Sequence, residues 1–270
     1  MTAFAAALRY EWRRLVTLRS TYWLVGVSVF IAVGLATLIG WGFASVDNIE
    51  EGESFVIGAI ATQGAAIGAA PLLIAYVMGM FGLFTFGHEY RHGMIRATLT
   101  AVPNRGALFL AKIVLTALVT GVTALVCTVL GVFIGNAFLP DIDAVTDDVI
   151  QVVVGVSIYS ALFALVGLAL AALLRNQVGA LVLLLLVPLV GELIIRLILI
   201  LPSAFDDIQD AAGYLPFDAG AQMYTMLDLN QALDIFGYDP QGPVGGGVTF
   251  AVFTALMLAL AGALFSRRDA

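Results

Sequence analysis

The sharpest chemical match in this chain is His88-Glu89-Tyr90-Arg91-His92, which satisfies H-E-x-x-H and contains both of its histidines. On a helix that spacing sets two imidazoles one turn apart on one face, and the glutamate between them can activate a metal-bound water, as in zinc proteases. Zinc needs a third protein ligand, and the next acid along the chain is Asp141, which the charge pattern described below assigns to the opposite side of a membrane. Gly93 follows at once and weakens a continuing helix. The match therefore reads as two interfacial histidines with no metal ligand assigned, and a membrane zinc protease using His88, Glu89 and His92 is the alternative. A nucleotide site lacks its residues. A P-loop requires G-x-x-x-x-G-K-[ST], in which glycine lets backbone amides approach phosphate and the hydroxyl holds Mg²⁺. The single lysine, Lys112, follows Gly106-Ala-Leu-Phe-Leu-Ala111 and precedes Ile113, so both the second glycine and the hydroxyl are missing. The chain is not expected to be an enzyme, and if ATP drives it, another subunit binds the ATP.

Glu192 and Arg196 are the ionisable pair expected inside an apolar stretch. Four residues apart on a helix, they share a face. Each alone would cost ~2.5–3.5 kcal/mol at the centre of a bilayer, so a local salt bridge or a polar cavity is expected, with a gate or substrate contact as the functional reading. Pro188, four residues upstream of Glu192, predicts a kink. An ion-coupled secondary transporter usually strings carboxylates or histidines through its spans. Glu192 alone supplies such a path poorly, and this class stands as a further alternative. Cys127 is the only cysteine, so neither a disulfide framework nor a thiolate metal site is available.

The elements that must position these residues are set by composition. Of 270 residues, 61% are hydrophobic and 11% charged, which fits a membrane protein and no soluble core. A helix needs ~20 apolar residues to cross the hydrocarbon. Six runs qualify, at about 22–43, 66–86, 107–139, 149–174, 178–201 and 247–265, and part of 55–65 is expected at the interface. The first run is too long for a signal-peptide core and is read as a retained helix. The expectation is an all-α membrane protein forming one transmembrane domain over 1–270.

The charges are segregated. Arg9, Arg13, Arg14, Arg19, Arg91, Arg96, Arg105, Lys112, Arg175, Arg267 and Arg268, eleven of the 12 basic residues, fall at one side of this layout. The other side's connections hold no base and carry Asp47 to Glu53, Asp141 to Asp148 and Asp206 to Asp239. By the positive-inside rule both termini are cytoplasmic. The net charge of −7 thus sits mostly outside, and no nucleic-acid partner is expected.

Three segments lie outside the spans. Over 2–19, Phe4, Leu8, Trp12 and Leu15 recur at helical spacing with Arg9 and Arg13 beside them, the pattern of a helix lying in the membrane surface. Glu11 falls beside that apolar stripe. Residues 88–106 make a polar cytoplasmic connection, and 202–246 make the longest outer segment. The basic lead-in from Arg9 to Arg19, six spans, and a second-to-third connection with Glu89, Arg91, Gly93, Arg96-Ala-Thr-Leu, Pro103-Asn-Arg105 and then Lys112 resemble the permease subunits of ABC-2-type transporters. Met94 stands where such permeases often have Thr.

That resemblance implies a type V exporter-like membrane fold in the plasma (inner) membrane of a bacterium, with two permease chains and two ATPase subunits. It implies that Glu89, Arg91, Arg96, Pro103 and Arg105 form the segment coupled to the ATPase, that 2–19 is an interfacial connecting helix, and that 202–246 is an outer lid. No cofactor is expected in this chain, since ATP and Mg²⁺ would lie on the partner. The partner permease, either the same chain or a homologue, and the lipid bilayer complete the expected partners. The spans offer no charged pocket, which favours a lipid-like or amphiphilic, drug-like cargo.

Overall fold

The structure, a computed structural model, describes residues 3–44, 53–65, 72–140, 146–200, 211–226 and 241–267. Long runs of Ala, Leu and Val leave the backbone no hydrogen-bond partner in hydrocarbon but itself, and helices follow. They are α1 (Ala3–Thr17), α2 (Arg19–Phe43), α3 (Glu53–Ala61), α4 (Leu73–Arg91), α5 (Ile95–Ala101), α6 (Arg105–Phe138), α7 (Asp147–Leu174), α8 (Gln177–Leu186), α9 (Glu192–Ile200), α10 (Pro216–Ala221) and α11 (Gly242–Arg267).

Among the described residues, five helices are long and apolar enough to cross a membrane: α2, α6, α7, the α8–α9 rod and α11. The expected count was six. Most of the remaining expected span, 66–86, falls on α4, whose last turn carries His88, Glu89 and Arg91 and so shortens its apolar length, while 66–71 lie outside the described residues, as does most of the expected outer segment 202–246.

Local sequence explains the helix ends. Asn104 caps α6 by accepting from the Ala107 amide, Thr146 caps α7 by accepting from the Val149 amide, and Asn176 caps α8. Between α8 and α9 the kink expected from Pro188 takes the form of a π-helical turn, Val187–Gly191. Proline removes one amide donor, and the wider turn re-registers the ladder around the gap.

The centre of the bundle is α7, against which α4, α6 and α11 pack. Glycines let α4 and α7 approach closely: a methyl at Gly82 would run into the Ala164 carbonyl, and one at Gly167 into the Gly79 carbonyl. The stretch 55–65, part of which is expected at the interface, packs inside the bundle. It is buried, with Ile57, Ile60 and Ala61 fully enclosed and α3 packed against α2, α6 and α7. With no polar face, α3 gains most by entering the bundle.

α1 runs alongside the start of α6. Its expected apolar stripe divides. Leu15 is buried and Leu8 half-buried against the bundle, whereas Phe4 and Trp12 stay exposed beside the exposed Arg9 and Arg13. Ala7 and Glu11 complete the buried face.

Candidate functional site

Where α1, α4 and α6 meet, three ionisable side chains are packed out of water and a fourth, Arg14, is partly so. Glu11, Glu89 and Lys112 are each 1% exposed, and Arg14 joins them from one turn beyond Glu11. The Lys112 Nζ lies 2.9 Å from Glu11 Oε1 and 2.9 Å from Glu89 Oε1. The Arg14 Nη1 lies 2.8 Å from the same Glu89 oxygen and 3.1 Å from Glu11 Oε2. Both cations also donate to the Thr85 carbonyl, each at 3.1 Å.

Aromatic rings close this cluster. Phe86 lies 4.9 Å from Lys112 Nζ and packs with Phe109 and Phe265, which brings the end of α11 to the same place. Such a cation over a ring face gains from the ring quadrupole, more so when desolvated.

Two carboxylates stand against two cations, so the cluster balances its own charge. Removing one member of a buried ion pair costs ~3–5 kcal/mol because the other is left uncompensated. The four groups therefore tie α1, α4 and α6 to one another.

A short helix rides on this cluster. Just past the end of α4, Gly93 takes the left-handed φ of 65° that glycine tolerates best. The Met94 amide donates to the Glu89 carbonyl at 2.8 Å and the Gly93 amide to the Tyr90 carbonyl at 3.3 Å, a Schellman turn that reverses the chain into α5. From α5 the Thr98 hydroxyl donates to Glu89 Oε1 at 3.4 Å, and Ile95 is buried beneath. Glu89 thus lies under both ends of the α4–α5 corner.

The residues singled out in this connection divide by role. Glu89 enters the cluster. Arg91 and Arg96 are exposed on the other face of the corner, and Pro103 is exposed ahead of α6. Arg105 donates to the Phe265 carbonyl at 3.3 Å, fastening the start of α6 to the end of α11.

Glu11, Arg14 and Lys112 are not marked out for this role by any local motif. The signal was present, since Glu11 interrupts an apolar stripe and Lys112 is a lone charge in an apolar run.

The H-E-x-x-H geometry is not that of a hydrolytic metal site. Glu89 turns inward to Lys112 and Arg14, away from a position beside the imidazoles. His88 stacks on Phe84 with ring centroids 4.4 Å apart, and His92 Nδ1 donates to the His88 carbonyl at 2.9 Å. Burial, and then the guanidinium of Arg14, hold the His88 imidazole below its ordinary pKa. Among the described residues no group of three or more His, Cys, Asp or Glu is placed to hold a metal.

At the opposite end, Glu192 and Arg196 share a face of α9, as their spacing predicts, but they do not form the expected ion pair with each other. Glu192 accepts from the Phe217 and Asp218 amides at 2.9 and 2.8 Å, and Arg196 pairs with Asp218. The start of α10 comes between them, which no local pattern in the sequence reveals.

Residues 8–191, which contain the charge cluster, α5 and Pro188, match the family model described as ABC-2 family transporter protein. No curated protein matches the chain.

Proposed function

The chain belongs to the ABC-2 transporter family, and from that premise we propose that it is the permease subunit of an ATP-driven exporter, working with a second permease chain and a separate ATPase. Permeases of this family are membrane transport components rather than catalysts. In this reading ATP and Mg²⁺ are held by the ATPase, and this chain supplies the route and the mechanical link.

The observation that carries the reading is the α4–α5 corner. It offers exposed Arg91 and Arg96 on one side and rests through Glu89 and Thr98 on a charge cluster that grips α1, α4 and α6. A force applied to α5 is thereby delivered to several helices together, whereas a flexible loop would absorb it. The basic end faces the cytoplasm in this proposal, as the positive-inside rule requires, with α1 lying in the inner membrane surface of a bacterial cell. The cargo is lipid-like or amphiphilic, in keeping with spans that present apolar side chains almost throughout.

Affinity isolation of the tagged chain from its native membrane tests this directly. The expected companion is an ATPase with a P-loop, and replacing Arg96-Ala97 by Gly-Gly should leave the chain inserted and dimeric while lowering export per ATP hydrolysed several-fold. Isolation without any P-loop ATPase, or unchanged export by that variant at normal expression, would overturn the proposal.

A further inference from the structure

α10 is a helix of 6 residues, beginning at Pro216, whose first free amide donors belong to Phe217 and Asp218. A helix start normally satisfies such donors with the side chain of its N-cap residue. Here that residue is Leu215, extended at φ −63° and ψ 119°, with nothing to offer. Both acceptors come instead from another helix. Glu192, 3% exposed, takes the Phe217 amide on Oε1 at 2.9 Å and the Asp218 amide on Oε2 at 2.8 Å. One turn further along α9, Arg196 pairs with Asp218. Glu192 is the first residue after the π-turn, a feature that bends a helix and often marks a working site.

What α9 holds in place is a buried aromatic ring. Phe217 is 5% exposed and sits 5.5 Å from the ring of Phe163 on α7, with Phe250 and Phe253 of α11 at 5.4 and 5.7 Å. A cap within α10 would stabilise it wherever it lay. A cap borrowed from α9 makes its helical form conditional on its seat, because withdrawal takes the acceptors from the Phe217 and Asp218 amides and parts Asp218 from Arg196.

We propose that Glu192 is a positioning residue, a remote N-cap that keeps α10 helical only while Phe217 is seated, so that α10 is a latch at this end of the bundle. A use for the latch in transport rests on the permease reading, but the latch itself does not. It is tested on the purified chain without any partner.

Hydrogen exchange over 211–226 reads the latch. In the native chain the Phe217 and Asp218 amides should be protected. Glu192→Gln keeps one acceptor oxygen and turns an NH2 donor on the other amide, so exchange of at least one of the two should speed at least tenfold while α7 and α11 exchange as before. Adding Leu215→Asp to Glu192→Gln supplies a cap inside α10 and should return most of the protection, an outcome that a general packing role for Glu192 would not produce. Unchanged exchange in Glu192→Gln, a rise shared equally by α7 and α11, or no recovery with Leu215→Asp would overturn the assignment.

Discussion

Lys112 and Glu89 stand 23 positions apart and meet at 2.9 Å in a site closed to water. The same ammonium reaches Glu11 of α1, so the only lysine of the chain joins three helices. An apolar residue at 112 would leave Arg14 alone against two buried carboxylates. Lys112→Met is therefore expected to destabilise the chain by ~3–5 kcal/mol. Glu89→Gln with Lys112→Met should cost less than the two single changes added together, read by denaturant unfolding in detergent. Strict additivity in that cycle would show that the two side chains do not act as a unit.

The packing of α4 on α7 allows a sharper contrast. A methyl at Gly82 would meet the Ala164 carbonyl, which is backbone and cannot turn aside, whereas one at Gly34 meets nothing within 4 Å. Gly82→Ala should lower stability by ~1–3 kcal/mol through forced separation of the helices. Gly34→Ala should be neutral or raise stability by up to ~1 kcal/mol through helix propensity. Thermal unfolding of the two variants side by side decides it, and equal effects would contradict the close α4–α7 approach.

How far the sequence revealed this arrangement depends on the range of the interaction. Asn104, Thr146, Gly93 and Pro188 act within a few residues, and their caps, turn and kink could be read from local pattern alone. The apolar runs likewise announced the crossing helices. Glu11 looked like a flaw in an amphipathic stripe because its partner, Lys112, lies about a hundred positions away and only the packing of α1 on α6 brings them together. Arg196 was matched to its nearest acid in sequence, Glu192, yet a segment 25 residues further on offers Glu192 two amides and Arg196 a carboxylate. Helix periodicity reports which residues share a face, not what is folded against that face.

Orientation is open to direct measurement. Thr100 is exposed on α5 at the basic end, and Tyr214 is exposed just before α10, at the end where Glu192 lies. In a Cys127→Ala background, a cysteine at 214 should react with a membrane-impermeant thiol reagent added to intact cells, and one at 100 only after the membrane is opened. Labelling of position 100 from outside would invert the topology and remove the proposed ATPase contact with it.

The angle between α4 and α5 hangs on Gly93. Its φ of 65° lies in the left-handed region, where a side chain costs ~1–2 kcal/mol, least for Asn and most for a β-branched residue. The Schellman bonds from Met94 and Gly93 close only in that conformation, and they place Thr98 over Glu89. Gly93→Asn should then keep most of the export per ATP hydrolysed. Gly93→Val should reach the membrane in normal amount, hold its charge cluster, and lose coupling several-fold, because the exposed arginines of α5 would no longer be fixed relative to α4. The comparison needs ATP hydrolysis and export measured together on the reconstituted assembly. Full coupling in Gly93→Val would mean that motion reaches the bundle by another contact, and α5 would cease to be the transmitting element.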